Sequence, residues 1–432
     1  MDLGRSRSNS KIAWEKIMNK NRIPPIKFKI FLNHWSYTEL KAVKDVRDGT
    51  HSSPKYIENG YPLVTSKNLT DSGLSLNDVS LISESDYNEI NKRSKVETGD
   101  ILLGLIGTIG KPVLVDSEGF AIKNVGLIKN GGQIQNQFLL QYLKTNIFNK
   151  YIQIEMAGNT QKFLGLETLR NTKVPVPSPD EQSAIGFLFR TLDDLLASYK
   201  DNLANYQSLK STMLSKMFPK AGQTVPEIRL DGFEGEWEKV NLETSTVRLK
   251  SFSLSRDVET KENTGMRYIH YGDIHTGRAS YINDENVLPY ISQDLKITEF
   301  LKKGDLIFAD ASEDYKGIAA VSLLAVDPKD IVIAGLHTIA LRPNKNLDST
   351  FLYYLFKTQT FRKYGYKVGT GMKVFGISPT NLMKYEYYHP SIGEQRAIGT
   401  YFSNLDKLIA AHQEKITQLE TLKKKLLQDM FI

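Results

Sequence analysis

The feature that most constrains this chain is a duplication of long period. Glu181-Gln-Ser-Ala-Ile-Gly-Phe-Leu-Phe-Arg-Thr-Leu-Asp193 returns as Glu394-Gln-Arg-Ala-Ile-Gly-Thr-Tyr-Phe-Ser-Asn-Leu-Asp406, 213 residues later. The offset holds without a gap through Met217-Phe218 and Met430-Phe431, and 15 of those 38 positions are identical. It also pairs Lys144-Thr145 with Lys357-Thr358, Phe148 with Phe361, and Lys150-Tyr151 with Lys363-Tyr364. Upstream, Pro24-x-Ile26-Lys27-Phe28-x-x-Phe31-x-x-x-Trp35 matches Pro226-x-Ile228-Arg229-Leu230-x-x-Phe233-x-x-x-Trp237 at an offset of 202. Self-similarity at a fixed spacing means that one structural unit is built twice. A length of 432 residues suits two or three domains.

Each copy has the same internal order. A Trp-led stretch (Trp35 to Leu40; Trp237 to Leu242) opens a segment rich in β-branched residues, aromatics and glycines. Asp100-Ile-Leu-Leu-Gly104 and Asp305-Leu-Ile-Phe308 each follow a Gly and predict buried strands after a tight turn. The Gly, Asn and Pro punctuation between such runs fits an irregular α+β or β-rich domain. Pro175-x-Pro177-x-Pro179 ends the first such segment and Pro390 the second, and a helix follows each. In the first helix Leu192, Leu196, Tyr199, Leu203, Tyr206, Met213 and Met217 fall on alternating four- and three-residue steps interrupted by Lys210. In the second, Leu405, Ile409, His412, Ile416, Leu419, Leu426 and Met430 do so, with Lys423 at the matching interruption. A stripe this narrow is a coiled-coil seam, and at 1.5 Å per residue each helix is roughly 55 Å long. Two helices of one pattern most economically pack on each other; the competing reading is that each covers its own domain.

Composition matters mainly for what it excludes. There is no cysteine, which removes disulfide frameworks and thiolate zinc sites. The first 21 residues are basic and Ser-rich without the apolar core of a secretory signal. No stretch approaches the roughly 18 apolar residues that span a bilayer, so a soluble, cytoplasmic protein is expected. The net charge of +7 rests on residues 1–30, where eight basic side chains face only Asp2 and Glu15, so global charge says little about DNA and local clustering must carry that argument.

Two variable segments alternating with two near-identical helices that begin Pro-x-x-Glu-Gln-x-x-Ile resemble the specificity subunits of type I restriction-modification systems. The resemblance runs from Pro24 onward. It rests on Glu181-Gln182 and Glu394-Gln395, the Met-Phe exits, the paired lead-ins, and Asp48-Gly49-Thr50-His51 with Pro54-Lys55-Tyr56. It implies an α+β fold with a pseudo-two-fold internal repeat. Two target-recognition domains of mixed α/β type would be joined by two long helices forming an antiparallel coiled coil. The expected division is a basic leader at 1–22, recognition domain 1 at 23–178, the first spacer helix at 179–222, recognition domain 2 at 223–390 and the second spacer helix at 391–432. The resemblance further implies a non-catalytic reader of a bipartite, asymmetric site in double-stranded DNA, recruiting two methylase subunits and motor-nuclease subunits. S-adenosylmethionine, ATP and magnesium would serve those partners, with no cofactor in this chain. The alternative is a coiled-coil protein–protein adaptor, which leaves two diverged domains without a task.

Candidate DNA contacts follow from residue type and setting. Residues 349–385 carry six basic side chains and no acid, interleaved with nine aromatics. Basic surface neutralises phosphates, whereas base edges are read by polar groups. Lys162 and Lys373 lie in the small-residue stretches Gly158-Asn-Thr-Gln-Lys162 and Gly369-Thr-Gly-Met-Lys373, and Lys367 lies nearby. The first domain adds Thr50, His51, Lys55, Ser66, Lys67, Asn68, Thr108, Lys111, Lys123 and Asn124; the second adds Arg267, Tyr268, Asp273, His275, Ser312, Lys316 and His337. The competing reading makes the aromatics core and the polar residues ordinary turn and surface groups.

Enzyme signatures fail on inspection. Gly104-Leu-Ile-Gly107-Thr-Ile-Gly110-Lys111-Pro112 has Leu105 where a phosphate loop needs Gly and Pro112 where it needs Ser or Thr. Gly369-Thr-Gly371 lacks a third glycine, with Val374 in its place. Seven histidines are scattered without metal-ligand spacing.

Overall fold

The computed structural model describes residues 26, 28, 30–31, 34–156, 163–292, 297–313, 317–371 and 375–431. The chain forms two compact units. One runs to Tyr199 and takes in Glu414 onward; the other is Lys200–Gln413. The division falls inside the long helices, because both units draw on both helices.

In the first unit an antiparallel sheet runs in the order Val46–Asp48, Val125–Ile128, Ile101–Gly104, Pro112–Leu114. A second sheet sets Tyr61–Val64 between Ser80–Ile82, antiparallel, and Ala121–Ile122, parallel. Ser36–Glu39 pairs with Lys173–Val176. The second unit repeats this plan. Its main sheet runs Thr246–Leu249, Thr338–Pro343, Leu306–Ala309, Val321–Leu324, with Tyr281–Ile282 added in parallel at the edge. Its second sheet places Met266–Ile269 beside Ile331–Ala334, again in parallel, and Glu238–Asn241 pairs with Glu386–His389.

The strands predicted after tight turns are present, and all residues of Ile101–Gly104 and Leu306–Ala309 are buried. Gly99 and Gly304 make those turns in the left-handed region, φ +88° and +95°, where a Cβ is strained. The acid after each Gly is buried and closes its turn. Asp100 accepts from Glu97 N and Lys129 Nζ (2.8 and 2.5 Å), and Asp305 from Lys302 N and Arg342 Nη2 (2.7 Å each).

The long helices span Pro179–Lys216 and Ile392–Asp429, 38 residues each. Each begins with a buried Gln that ties it to its own domain. Gln182 Oε1 accepts from Gln135 N, and its Nε2 donates to Pro177 O and Gln133 O (2.8, 3.0 and 3.3 Å). Gln395 repeats all three bonds with Asp348 N, Pro390 O and Asn346 O (2.8, 2.9 and 3.4 Å). The seam positions are buried or half-buried along both helices. The lysines that interrupt the seam form ion pairs with an acid of the other helix: Lys423 with Asp193 in the first unit, Lys210 with Asp406 in the second.

The Met-Phe exits complete aromatic cores. Phe431 stacks among Trp35, Phe138 and Phe189 at 5.8, 5.5 and 6.3 Å between ring centroids. In the second unit Phe218 packs on Phe351 and Phe402 at 5.5 and 5.8 Å between ring centroids, in the same cluster as Trp237. The backbone follows suit, with Ile26 N donating to Asp429 O at 3.2 Å and Ile228 N to Lys216 O at 2.9 Å. Each helix end therefore covers a domain, while the ion pairs link the two helices within each unit. Among the described residues no helix is long and apolar enough to cross a membrane.

Candidate nucleic-acid interface

The polar candidates that come together do so at one turn in each domain, where the smaller sheet hands over to the main one. In the first domain this turn is Lys123-Asn124, between Ala121–Ile122 and Val125–Ile128. Asn124 is left-handed at φ +56°; its N–H donates to Thr50 O (3.0 Å) and its carbonyl accepts from Leu105 N (3.3 Å). Thr50 bridges Lys123 in parallel, which seats His51 alongside. The His51 ring nitrogens lie 2.8 Å from Asn124 Oδ1 and 2.8 Å from Asp48 Oδ2. Asp48 is buried and holds Arg93 Nη2 at 2.6 Å, so four side chains form one relay from Arg93 to Asn124. Lys123 Nζ donates to Ser53 Oγ (2.6 Å), and Lys55 is exposed close by in sequence.

The glycine-rich Gly104–Gly110 segment is a tight turn beside this cluster. A Cβ on Gly104 would meet Thr108 O at 1.9 Å, and Gly110 N donates back to Gly104 O. Ser66 Oγ donates to Ile106 O within it. Thr108 and Lys111 are half-buried, with Lys111 Nζ 3.2 Å from Asp71.

In the second domain the equivalent turn holds His337, left-handed at φ +53°. Its carbonyl accepts from Asp310 N (3.0 Å) and its Nδ1 lies 3.1 Å from Asp310 Oδ1. The Tyr271 ring lies edge-on to His337 and His275, at 5.3 and 5.8 Å. His275 Nε2 donates to Ala311 O at 2.8 Å. His270 is held below its ordinary pKa by burial and then by Arg256.

Several candidates point inward and are corrected here. Arg267 is buried, bound to Asp330 Oδ2 (2.7 Å), Leu288 O (2.6 Å), Asn286 and Tyr290, and stacked on the Tyr290 ring. Tyr268 is fully buried with its hydroxyl on Glu259 Oε1 (2.9 Å); burial raises its pKa. Asp273 is buried with Arg256 Nη2 at 3.1 Å. Asn68 is buried and caps its own turn, accepting from Thr65 N and donating to Asp78 O (both 2.9 Å). Ser66 and Ser312 are also buried, which leaves Lys67, exposed and 3.4 Å from Asp78, as the accessible member of its group. These misreadings share a cause: polar residues near turns cap backbone as readily as they face solvent. Lys162, Lys316 and Lys373 lie outside the described residues; Lys367 is exposed at the end of the Gln359–Val368 helix.

The aromatics of 349–385 are largely core, with Phe351, Tyr353, Tyr354, Phe356 and Phe361 buried. Lys357 belongs with them. It donates to the Tyr353 hydroxyl and to Ser280 Oγ (3.2 Å), and burial followed by Lys210 pulls its pKa down to about 8. Lys144, its counterpart 213 residues earlier, is lowered by burial and then by Lys423. Arg93, Asp310 and Tyr271 escaped sequence reasoning, since no local pattern marks them. The equivalence of Asn124 and His337 was available by carrying the 213-residue offset back from the helices. Among the described residues no group of three or more His, Asp or Glu is placed to hold a metal ion.

A model of the type I restriction modification DNA specificity domain matches residues 33–205 and again 235–421. The chain belongs to that family. Each matched stretch takes in one recognition domain and the greater part of the helix after it, as the duplication requires. The specificity subunit of the type I restriction enzyme MjaVIII from Methanocaldococcus jannaschii is 22% identical over 343 residues, 78% of this chain and 79% of that protein. The EcoBI specificity subunit of Escherichia coli is 28% identical over 176 residues, 38% of this chain and 35% of that one. The fold is that of the S subunit of a type I restriction-modification system from M. genitalium, with a TM-score of 0.60 at 15% identity over 95% of this chain and 99% of that one. For a member of the DNA specificity family, the two left-handed turns and the side chains around them are the candidate reading surface.

Proposed function

We propose that this chain reads a two-part, asymmetric DNA site as the non-catalytic specificity subunit of a cytoplasmic type I restriction-modification complex. The observation that carries this is one scaffold bearing two chemistries. The equivalent turns present Asn124 with His51 in one domain and His337 with Asp310 in the other. A frame used twice with different polar groups at its tip suits two different half-sites, since base edges differ in their donor and acceptor pattern. Phosphate contacts would come from exposed lysines such as Lys55, Lys67 and Lys367, and the loops would enter the major groove.

The two long helices would form an antiparallel coiled coil that sets the spacing of the half-sites. The reciprocal pairs Lys423–Asp193 and Lys210–Asp406 support this, because each joins the later part of one helix to the earlier part of the other. Two methylase subunits and motor-nuclease subunits would dock on this frame. S-adenosylmethionine-dependent adenine methylation and ATP- and magnesium-dependent cleavage would then be the partners' chemistry, with no cofactor held by this chain.

The test is co-expression with the methylase subunit encoded beside it, mapping modified adenines by long-read sequencing. A split, asymmetric motif that disappears without this chain supports the reading. No modification despite a stable complex with the methylase would point to recognition domains that no longer read DNA, and no complex at all would overturn the reading and favour a protein–protein adaptor.

A further inference from the structure

We propose that Asn124 and His337 are the specificity-determining residues of the two domains, each reading a base edge in its own half-site; this rests on the DNA-reading function proposed above. Among the described residues three besides glycine have left-handed backbone: Asn124, His337 and Ala319. Ala319 is fully buried and has no polar group to offer. The other two occupy one position of the repeat, 213 residues apart, and both have accessible side chains.

The backbone alone does not explain them. The turn needs φ near +55° and a carbonyl for the next strand, and glycine provides both without strain. Asn and His tolerate this region better than most residues, yet a non-glycine residue there is still uncommon, and such positions gather at functional sites. What the side chain adds is a polar group fixed in direction. Asn124 Oδ1 is held by His51, which Asp48 and Arg93 hold in turn. His337 Nδ1 is held by Asp310. Asn124 Nδ2 and His337 Nε2 are left without a hydrogen-bond partner among the described residues.

Anchored on one edge and open on the other, such groups are preorganised to meet a base without losing rotamer freedom on binding. Their chemistries differ in a useful way. An amide offers two N–H donors and an oxygen and suits adenine, whereas an imidazole nitrogen donates to or accepts from a single base atom. The same turn can thus serve two unlike half-sites by exchange of one residue.

The test uses the full chain and a random duplex DNA library, selected by binding and sequenced, for the wild type, Asn124→Gly and His337→Gly. Glycine keeps the turn, so each variant is expected to melt no lower than wild type. Asn124→Gly should lose at least about tenfold discrimination at one base pair of the first half-site, with the second half-site and the spacer unchanged. His337→Gly should do the reverse. Asn124→Asp and His337→Asn also suit the turn while changing donors and acceptors, and should shift the preferred base; they decide the matter if a glycine variant fails to fold. Glycine variants, or failing them the second pair, that select the undiminished wild-type motif would overturn the proposal while leaving DNA reading intact. A wild type that selects no motif would instead overturn the DNA-reading function itself, and this proposal with it.

Discussion

At the first turn of each long helix a buried glutamine spans the gap to the domain behind it, its oxygen on one backbone segment and its nitrogen on two others. Removing the amide orphans an N–H and two carbonyls, and a buried group left unpaired costs about 1–3 kcal/mol. Gln182→Ala and Gln395→Ala are therefore each expected to destabilise by several kcal/mol, read as a fall in the urea midpoint. Gln→Glu should fail to rescue either, because a carboxylate cannot donate to those carbonyls. A second residue-scale expectation concerns Lys357. Its folded pKa of about 8 lies below the ordinary 10.5, so between those values the unfolded chain binds the extra proton. Stability then rises with pH from about 8 toward 10.5 and carries the full penalty below 8. Lys357→Met should be more stable than wild type at pH 7, relative to pH 10, in denaturant titrations at the two pH values. An equal difference at both would exclude the burial argument.

Among elements, the long helices were the most legible in the sequence, because a seam of 3.5-residue period from Leu192 to Met217, and again from Leu405 to Met430, leaves few alternatives. Their starts were legible too, from Pro and the Glu-Gln pair. The seam lysines were seen as interruptions, but the acids that meet them could not be, since Asp193 and Lys423 lie 230 residues apart. The same limit hid the sheets. Strands such as Ile101–Gly104 stood out by apolar content, whereas the parallel pairing of Leu63 with Ala121 joins residues 58 apart (121 − 63), out of reach of any local pattern. At the candidate surface the sequence offers residue types but not direction, which is why Arg267 and Tyr268 are grouped with His337. If the helices act as a ruler, adding one heptad to both within Leu192–Met217 and Leu405–Met430 should lengthen the DNA spacer and preserve both half-sites. An unchanged spacer in the methylation map of that variant would refute the ruler.

For the whole molecule, the exits of the helices decide what folds with what. Phe431 belongs to the core of the first unit and Phe218 to that of the second. Truncating a buried Phe to Ala costs about 3–5 kcal/mol. Phe431→Ala should lower hydrogen-exchange protection in strands 101–104 and 125–128, while Phe218→Ala should lower it in 306–309 and 338–343. Loss of protection in the opposite unit, in either variant, would contradict the assignment of the two cores. The arrangement also has a consequence for synthesis. Trp35, Phe138 and Phe189 emerge from the ribosome early, but the ring that fills the space between them lies more than two hundred residues downstream. The second unit, drawn from Lys200–Gln413 alone, is complete before the first. The domain translated first is thus finished last, and until then it carries an open aromatic socket that a chaperone, or another nascent chain, can reach.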